Sequence, residues 1–98
     1  MYSIDNLLTL VTTQRAVELR FVVGRPPVIV SDTEEHALEG PPITSENAHE
    51  LLRSIANTRH MRELREKGEV KFLYKFQGTL PFLVRARTRD GTIAFEIL

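Results

Sequence analysis

The spacing of apolar residues changes several times along the chain, and each change predicts an element. Ile4, Leu7, Leu8 and Val11 fall on one helical face. Ser3 is placed to cap that helix, Asp5 sits in its first turn near the positive end of the dipole, and Tyr2 is placed to staple onto Leu7. Thr12 and Thr13 weaken the helix, and Gln14-Arg15 ends it. Over residues 16–23 the period becomes two. Val17, Leu19, Phe21 and Val23 alternate with Ala16, Glu18, Arg20 and Val22, which predicts a strand with one buried face. Gly24-Arg25-Pro26-Pro27 breaks it. A short strand at Val28-Ile29-Val30, a turn through Asp32-Thr33-Glu34 and a brief return strand at His36-Ala37-Leu38 follow. Gly40-Pro41-Pro42 closes that hairpin.

Helical spacing then returns. Thr44 or Ser45 caps a helix with Glu46 in its first turn, Ile43 stapled on Ala48, and Ala48, Leu51, Leu52 and Ile55 as its apolar face. Asn57-Thr58 stops and restarts the chain, with Thr58 as the expected cap. A helix over 59–67 carries Met61 and Leu64 on its apolar side and ends at Lys67-Gly68. The last third has strand period. Val70, Phe72, Tyr74 and Phe76 alternate with Glu69, Lys71, Leu73 and Lys75. After Gln77-Gly78-Thr79, Phe82, Val84, Ala86 and Thr88 alternate with Leu83, Arg85, Arg87 and Arg89. Asp90-Gly91 is a hairpin signal, and Ile93, Phe95 and Ile97 complete the sheet. The order α-β-β-β-α-α-β-β-β predicts an α+β domain over residues 1–98. Its largely antiparallel sheet has helices on one face, and the other face is open to water or a partner.

Composition narrows the chemistry. The chain is 98 residues long, 42% hydrophobic and 27% charged, which is ordinary for one globular core. Lys+Arg and Asp+Glu both number 13, so net charge points neither to nucleic acid nor to a membrane. Cysteine is absent, which excludes disulfides and Cys-based zinc sites and fits a cytoplasmic protein. Apolar runs are too short to span a bilayer, and the N-terminus has no basic and long apolar regions of a secretion signal.

Charge distribution is more informative than net charge. From Lys71 to Arg89 the chain holds five cations (Lys71, Lys75, Arg85, Arg87 and Arg89) and no acid. Period two sends all five to the face opposite the aromatic residues, and Arg20 lies on the polar side of its own strand. Together they predict a positive strip suited to a phosphate or an acidic partner. A solvated face, neutralised in part by Glu18, Glu69 and Glu96, is the competing account. Leu73, Leu83 and Leu98 on that face favour a protein contact, and the absence of outward aromatics disfavours nucleic acid. His36, His49 and His60 lack metal-ligand spacing, and the acids Asp32, Glu34, Glu35 and Glu39 surround an exposed hairpin, so neither group predicts a catalytic centre or a cofactor. The Gly24, Arg25, Pro26 and Pro27 segment is either an interface loop or a stiff connector between strands.

The run from Ala16 to Pro27, A-V-E-L-R-F-V-V-G-R-P-P, resembles the opening of the PilT-type ATPases of twitching motility and type II and type IV secretion, where an A-S-D-L-H-L-x-x-G-x-P-P segment stands. The strand Leu80-Pro81-Phe82-Leu83-Val84-Arg85-Ala86-Arg87 is similar to that family's R-F-R-V-N-x-F strand, and the elements between follow in the same order. The resemblance implies a bacterial, PAS-like N-terminal domain that packs against a neighbouring subunit's ATPase core. This chain departs from the pattern at Glu18-Leu19-Arg20 (Asp-Leu-His in the family), at Leu83 and Arg85 (Arg and Asn), and at Glu34-Glu35 (Asp-Gly). No G-x-x-x-x-G-K-[ST] occurs, because Gly24, Gly40, Gly68, Gly78 and Gly91 never have that spacing, so no P-loop ATPase is expected. Met1 favours a free-standing relative over a segment of a longer protein. The expected function is a non-catalytic interaction or regulatory module. Its open basic face would bind a protein, either a motor ATPase of this kind or a second copy. A PAS-like sensor of a small ligand or nucleotide, and a phosphate or nucleic-acid binder through Arg85, Arg87 and Arg89, are the alternatives.

Overall fold

The computed structural model describes residues 2–32 and 34–98. Its elements are α1 (Ile4–Thr13), β1 (Glu18–Phe21), β2 (Val28–Val30), β3 (Glu35–Ala37), α2 (Ser45–Arg53), α3 (Thr58–Lys67), β4 (Glu69–Phe76), β5 (Leu80–Arg89) and β6 (Thr92–Ile97). The strands form a six-stranded sheet of order β3-β2-β1-β6-β5-β4, with every neighbouring pair antiparallel. This is the α+β order predicted from the pattern, in the PAS-like arrangement that the resemblance implies. The expected turn at Asp32-Thr33-Glu34 includes Thr33, which lies outside the described residues, as does Met1.

Each helix starts where a side chain satisfies a backbone donor. Ser3 Oγ accepts from the Asn6 N–H. Thr44 Oγ1 accepts from the Asn47 N–H at 3.0 Å, and Asn47 Oδ1 accepts in return from the Thr44 N–H. The third cap is Asn57 rather than Thr58. Asn57 Oδ1 accepts from the His60 N–H at 2.8 Å, and His60 Nδ1 accepts from the Asn57 N–H at 3.2 Å. Both residue types can cap, and the reciprocal bond from His60 selects the earlier one.

Alternation produces one buried face. Leu19, Phe21, Ile29, Val70, Phe72, Phe76, Val84, Ala86, Phe95 and Ile97 are all buried. They join Ile4, Leu7, Leu8 and Val11 of α1, Ala48, Leu51 and Leu52 of α2, and Leu64 of α3 in one apolar cluster. The Phe21 and Phe95 rings stack at 4.4 Å and 19° across the β1–β6 junction. Burial of a side chain of this size contributes about 1.5–3 kcal/mol.

The first strand is shorter than its alternating run. The Ala16 N–H still donates to Val11 O, at 3.0 Å, and Val17 is 51% exposed. At the far end the Gly24 N–H donates to Ile43 O at 2.8 Å, so Val22 and Val23 leave the sheet. The return strand likewise sits one residue earlier than expected, at Glu35–Ala37. Tyr2 reaches further than Leu7: its hydroxyl donates to Pro41 O at 2.7 Å. Asp90 and Gly91, at φ 53° and 80°, supply the two positive φ angles that a tight hairpin between β5 and β6 requires.

A second long-range tie joins the first helix to β4. The Tyr74 hydroxyl donates to Asp5 Oδ1 at 2.9 Å. Burial first, and the Asp5 carboxylate second, push the Tyr74 phenol above its ordinary value of 10.0. Below that value the phenol is protonated in both folded and unfolded chains, and its contribution is complete. As pH rises past it the unfolded chain ionises first, so stability falls. Tyr74→Phe is expected to cost about 1 kcal/mol near neutral pH. It should also reduce the further loss as pH rises past that ordinary value, both read from urea unfolding.

Candidate functional site

Among the described residues no helix packs on the second face of the sheet, and strand register arranges its side chains in rows. One row runs Lys71–Arg85–Glu96–Arg20–Val28 across β4, β5, β6, β1 and β2. The next holds Leu73 beside Leu83, with Leu98 joined to Leu83 by two backbone bonds of 3.1 and 2.8 Å. Lys75 stands opposite Pro81 at one end of the sheet. Glu69, Arg87 and Ala94 form a row toward the other end, and Arg89 faces Thr92 beyond it. All six predicted cations therefore share the uncovered face.

They do not share one electrostatic state. Arg20 donates through Nε to Glu18 and through Nη1 to Glu35 Oε1 at 2.6 Å. The hydrogen bond to Glu18 is the main influence holding its guanidinium pKa above the ordinary value. Glu96, with a side chain only 14% exposed, accepts from Arg85 Nη2 at 2.8 Å and lies 3.6 Å from Arg87 Nη1. Among the described residues Lys71, Lys75 and Arg89 form no ion pair. Glu18 and Glu96 thus neutralise their neighbours as the sequence suggested. Glu69 sits opposite Arg87 without pairing, and Glu35 is a partner the sequence reading missed, because only the β2–β3 register brings it over Arg20. Of the six, the cations left without an ion pair are Arg89 at the end of β5 and Lys71 and Lys75 on β4, either side of Leu73, which is 67% exposed; Leu83 and Leu98 are each 37% exposed.

The Gly24–Pro27 loop lies at the opposite end of the sheet from Lys75. Gly24 has φ 94°, a conformation that favours glycine, and Arg25 O accepts from the Ile43 N–H at 2.9 Å. Pro27 is fully buried and its carbonyl accepts from Leu38. These bonds fasten the loop to the 38–43 segment and leave the Arg25 side chain exposed.

Two open recesses flank the sheet. One, beside the start of β4, is lined by Glu63, Lys67, Glu69, Lys71 and Arg87. The other has an apolar floor of Ala56, Met61, Leu64 and Ile93 under Arg53 and Arg65. The sequence assigned Met61 and Leu64 wholly to the core, since helical spacing does not report that Met61 stays half-buried at a rim. Of the histidines, His36 and His49 are exposed, whereas His60 stacks on Phe72 at 4.1 Å and 10°. Among the described residues no group of three or more His, Asp or Glu could hold a metal ion. Among them, too, no helix is long and apolar enough to cross a membrane.

The Arg85–Glu96 pair is half-shielded, so a double-mutant cycle of Arg85→Ala and Glu96→Ala should give a coupling of about 0.5–1 kcal/mol. Arg87→Ala alone, at 3.6 Å and more exposed, should stay within about 0.5 kcal/mol of wild type in chemical unfolding.

No protein-family model matches the chain. It is 29% identical over 83 residues to the type IV pilus retraction ATPase PilT of Pseudomonas aeruginosa, which covers 85% of this chain and 24% of that protein. Among solved structures, the pilus retraction motor PilT with bound ADP superposes with a TM-score of 0.88 at 22% identity, over 99% of this chain and 29% of that one. The Legionella pneumophila ATPase DotB superposes with a TM-score of 0.80 at 14% identity, over 98% of this chain and 29% of that one. The chain spans about a quarter of the length of the curated relative it matches. In sequence and in fold it resembles the N-terminal domain of PilT-type ATPases, and its 98 residues contain no P-loop motif.

Proposed function

We propose that this domain is a non-catalytic interaction module that docks on a protein through its uncovered sheet face, and that its partner is a PilT-type ATPase. The observation that carries the reading is the Leu73–Leu83–Leu98 row, an exposed apolar strip on a face no helix covers, flanked by Lys71, Lys75 and Arg85. Apolar residues ringed by charge are the usual layout of a docking surface. Of the flanking cations, Lys71 and Lys75 form no ion pair among the described residues, and free cations favour an acidic counterpart and speed encounter at low salt. Similarity to one end of a motor ATPase supplies the class of partner, since the matched segment of PilT is joined in its own chain to the remaining three quarters of that protein. A phosphate-transfer role has no support in the chain's own residues, because the backbone cradle and lysine of a P-loop are missing.

Purified P. aeruginosa PilT serves as the probe, with the domain immobilised. Leu83→Glu combined with Leu98→Glu should lower capture tenfold or more while the far-ultraviolet circular dichroism stays that of wild type. Arg53→Glu combined with Arg65→Glu, on the helix side, should leave capture unchanged. Equal capture by both double variants would remove the sheet face from the role, and no capture of PilT by the wild-type domain would remove the ATPase as partner.

A further inference from the structure

The two free edges of the sheet are complementary to each other, and we infer that copies of this chain associate head to tail by adding β3 of one to β4 of the next. This goes beyond docking on the sheet face and is tested separately from it.

The β4 edge comes first. β4 is outermost in the sheet, runs for 8 residues and contains neither Gly nor Pro. Leu83 and Leu98 exchange both of their backbone bonds. In an antiparallel ladder such pairs alternate, so the neighbours of Leu83 on β5, Phe82 and Val84, direct theirs to β4 at Tyr74 and Phe72. The Thr88 N–H, which donates to Gly68 O at 2.9 Å, has the same parity. The backbone groups of Val70, Phe72, Tyr74 and Phe76 are therefore spent on β5. Those of Glu69, Lys71, Leu73 and Lys75 point off the edge, and the same four residues carry their side chains on the uncovered face. A strand that fills this edge needs an apolar residue opposite Leu73 and acids two positions to either side, opposite Lys71 and Lys75.

The far edge carries that pattern as Glu35-x-Ala37-x-Glu39. Its parity also fits. Ser31 donates to Glu34 O and Leu38 donates to Pro27 O, so the even-numbered residues face β2, and Glu35 and Ala37 present their backbone groups outward. Register places Ala37 beside Val28 and Glu35 beside Val30, on the uncovered face. Glu35, Ala37 and Glu39 are all exposed. Antiparallel addition with Leu73 opposite Ala37 sets Lys75 opposite Glu35, a carboxylate it would share with Arg20, and with the strand extended two residues past the end of β3 it sets Lys71 opposite Glu39. On the covered face it sets Phe72 beside Leu38. Sliding the strand two residues in one direction sets Glu69 opposite Glu39, and in the other sets Leu73 opposite Glu39, so a single register satisfies both charges. Because β3 runs antiparallel to β4 within one copy, the added copy keeps its uncovered face on the same side.

Pairing β4 with itself fits less well. The register that opposes Leu73 to Leu73 sets Lys71 against Lys75 of the second copy, a like-charge contact. The head-to-tail contact is heterologous and propagates into a ring or an open array.

The test is sedimentation velocity over a range rising to about 1 mM, the regime in which a short strand–strand contact half-saturates. Wild type should show a weight-average mass that rises with concentration. Lys71→Glu with Lys75→Glu, and separately Glu35→Lys with Glu39→Lys, should each remain monomeric, since each then has like charges on both edges. Mixing the two variants should restore association. In hydrogen exchange the Lys71, Leu73 and Ala37 amides should slow as concentration rises, while Phe72, already bonded within the sheet, should not change. A wild type that stays monomeric throughout, or a mixture that fails to associate, overturns the inference and leaves the capture of PilT by the Leu83 and Leu98 row untouched. Association that survives in both variants overturns it too.

Discussion

β6 is the strand on which the arrangement depends. It lies between β1 and β5, so the N-terminal hairpin and the C-terminal hairpin form one sheet only through it. Its Phe95 stacks on Phe21, and its Ile97 lies between Leu19 and Val84. These buried contacts fix register on both sides at once. A slip of one residue would carry Phe95 and Ile97 into water and Glu96 into the core, which is why the register is tightly specified. Once it is fixed, Glu96 has no choice of position. It stands between Arg20 and Arg85 on the other face.

Surface electrostatics therefore follows from the core. Glu96 occupies the centre of the uncovered face and engages Arg85 and Arg87, while Glu18 and Glu35 engage Arg20. The middle of the sheet is close to balanced, and the imbalance moves outward. Lys71 and Lys75 on β4 form no ion pair at one margin, and at the other Glu35 shares the single cation Arg20 with Glu18 while Glu39 stands exposed nearby. A chain with no net charge thus carries a dipole across its sheet. Neither the total of 13 cations nor the run of five cations without an acid reveals this, because which cations are compensated depends on strand register.

What was legible in the sequence was whatever a period could carry. The alternation over residues 69–76 and 82–89 placed those side chains of β4 and β5 on the correct face, because face is a local property of a strand. The hairpin at Asp90-Gly91 was likewise readable from residue type, and the second helix's cap was narrowed to Thr44 or Ser45, of which the structure uses Thr44. Partners were not. Arg20 meets Glu35 only because β2 and β3 fold back over β1, and that depends on the 22–43 connection, where Gly24 and Arg25 bond to Ile43. The same connection cut β1 short of Val23, against an unbroken alternating pattern. Asn57 in place of Thr58 turned on one side chain, His60, whose other role is to stack on Phe72.

The margins of the sheet join these strands of reasoning. In an extended chain the residues whose side chains share a face also share the direction of their backbone groups, because both alternate with period two. On β4 the residues left unbonded at the edge are therefore the ones that carry Lys71, Leu73 and Lys75 on the open face. Lysine on a free edge is a common defence against indiscriminate strand pairing. Two lysines flanking a leucine also do something more selective. They reject basic and self-identical strands, and they accept a strand that brings acids at the same spacing. The two edges of the sheet are surfaces with chemistry of their own. Here the selectivity of those surfaces is set by the same alternation that builds the core.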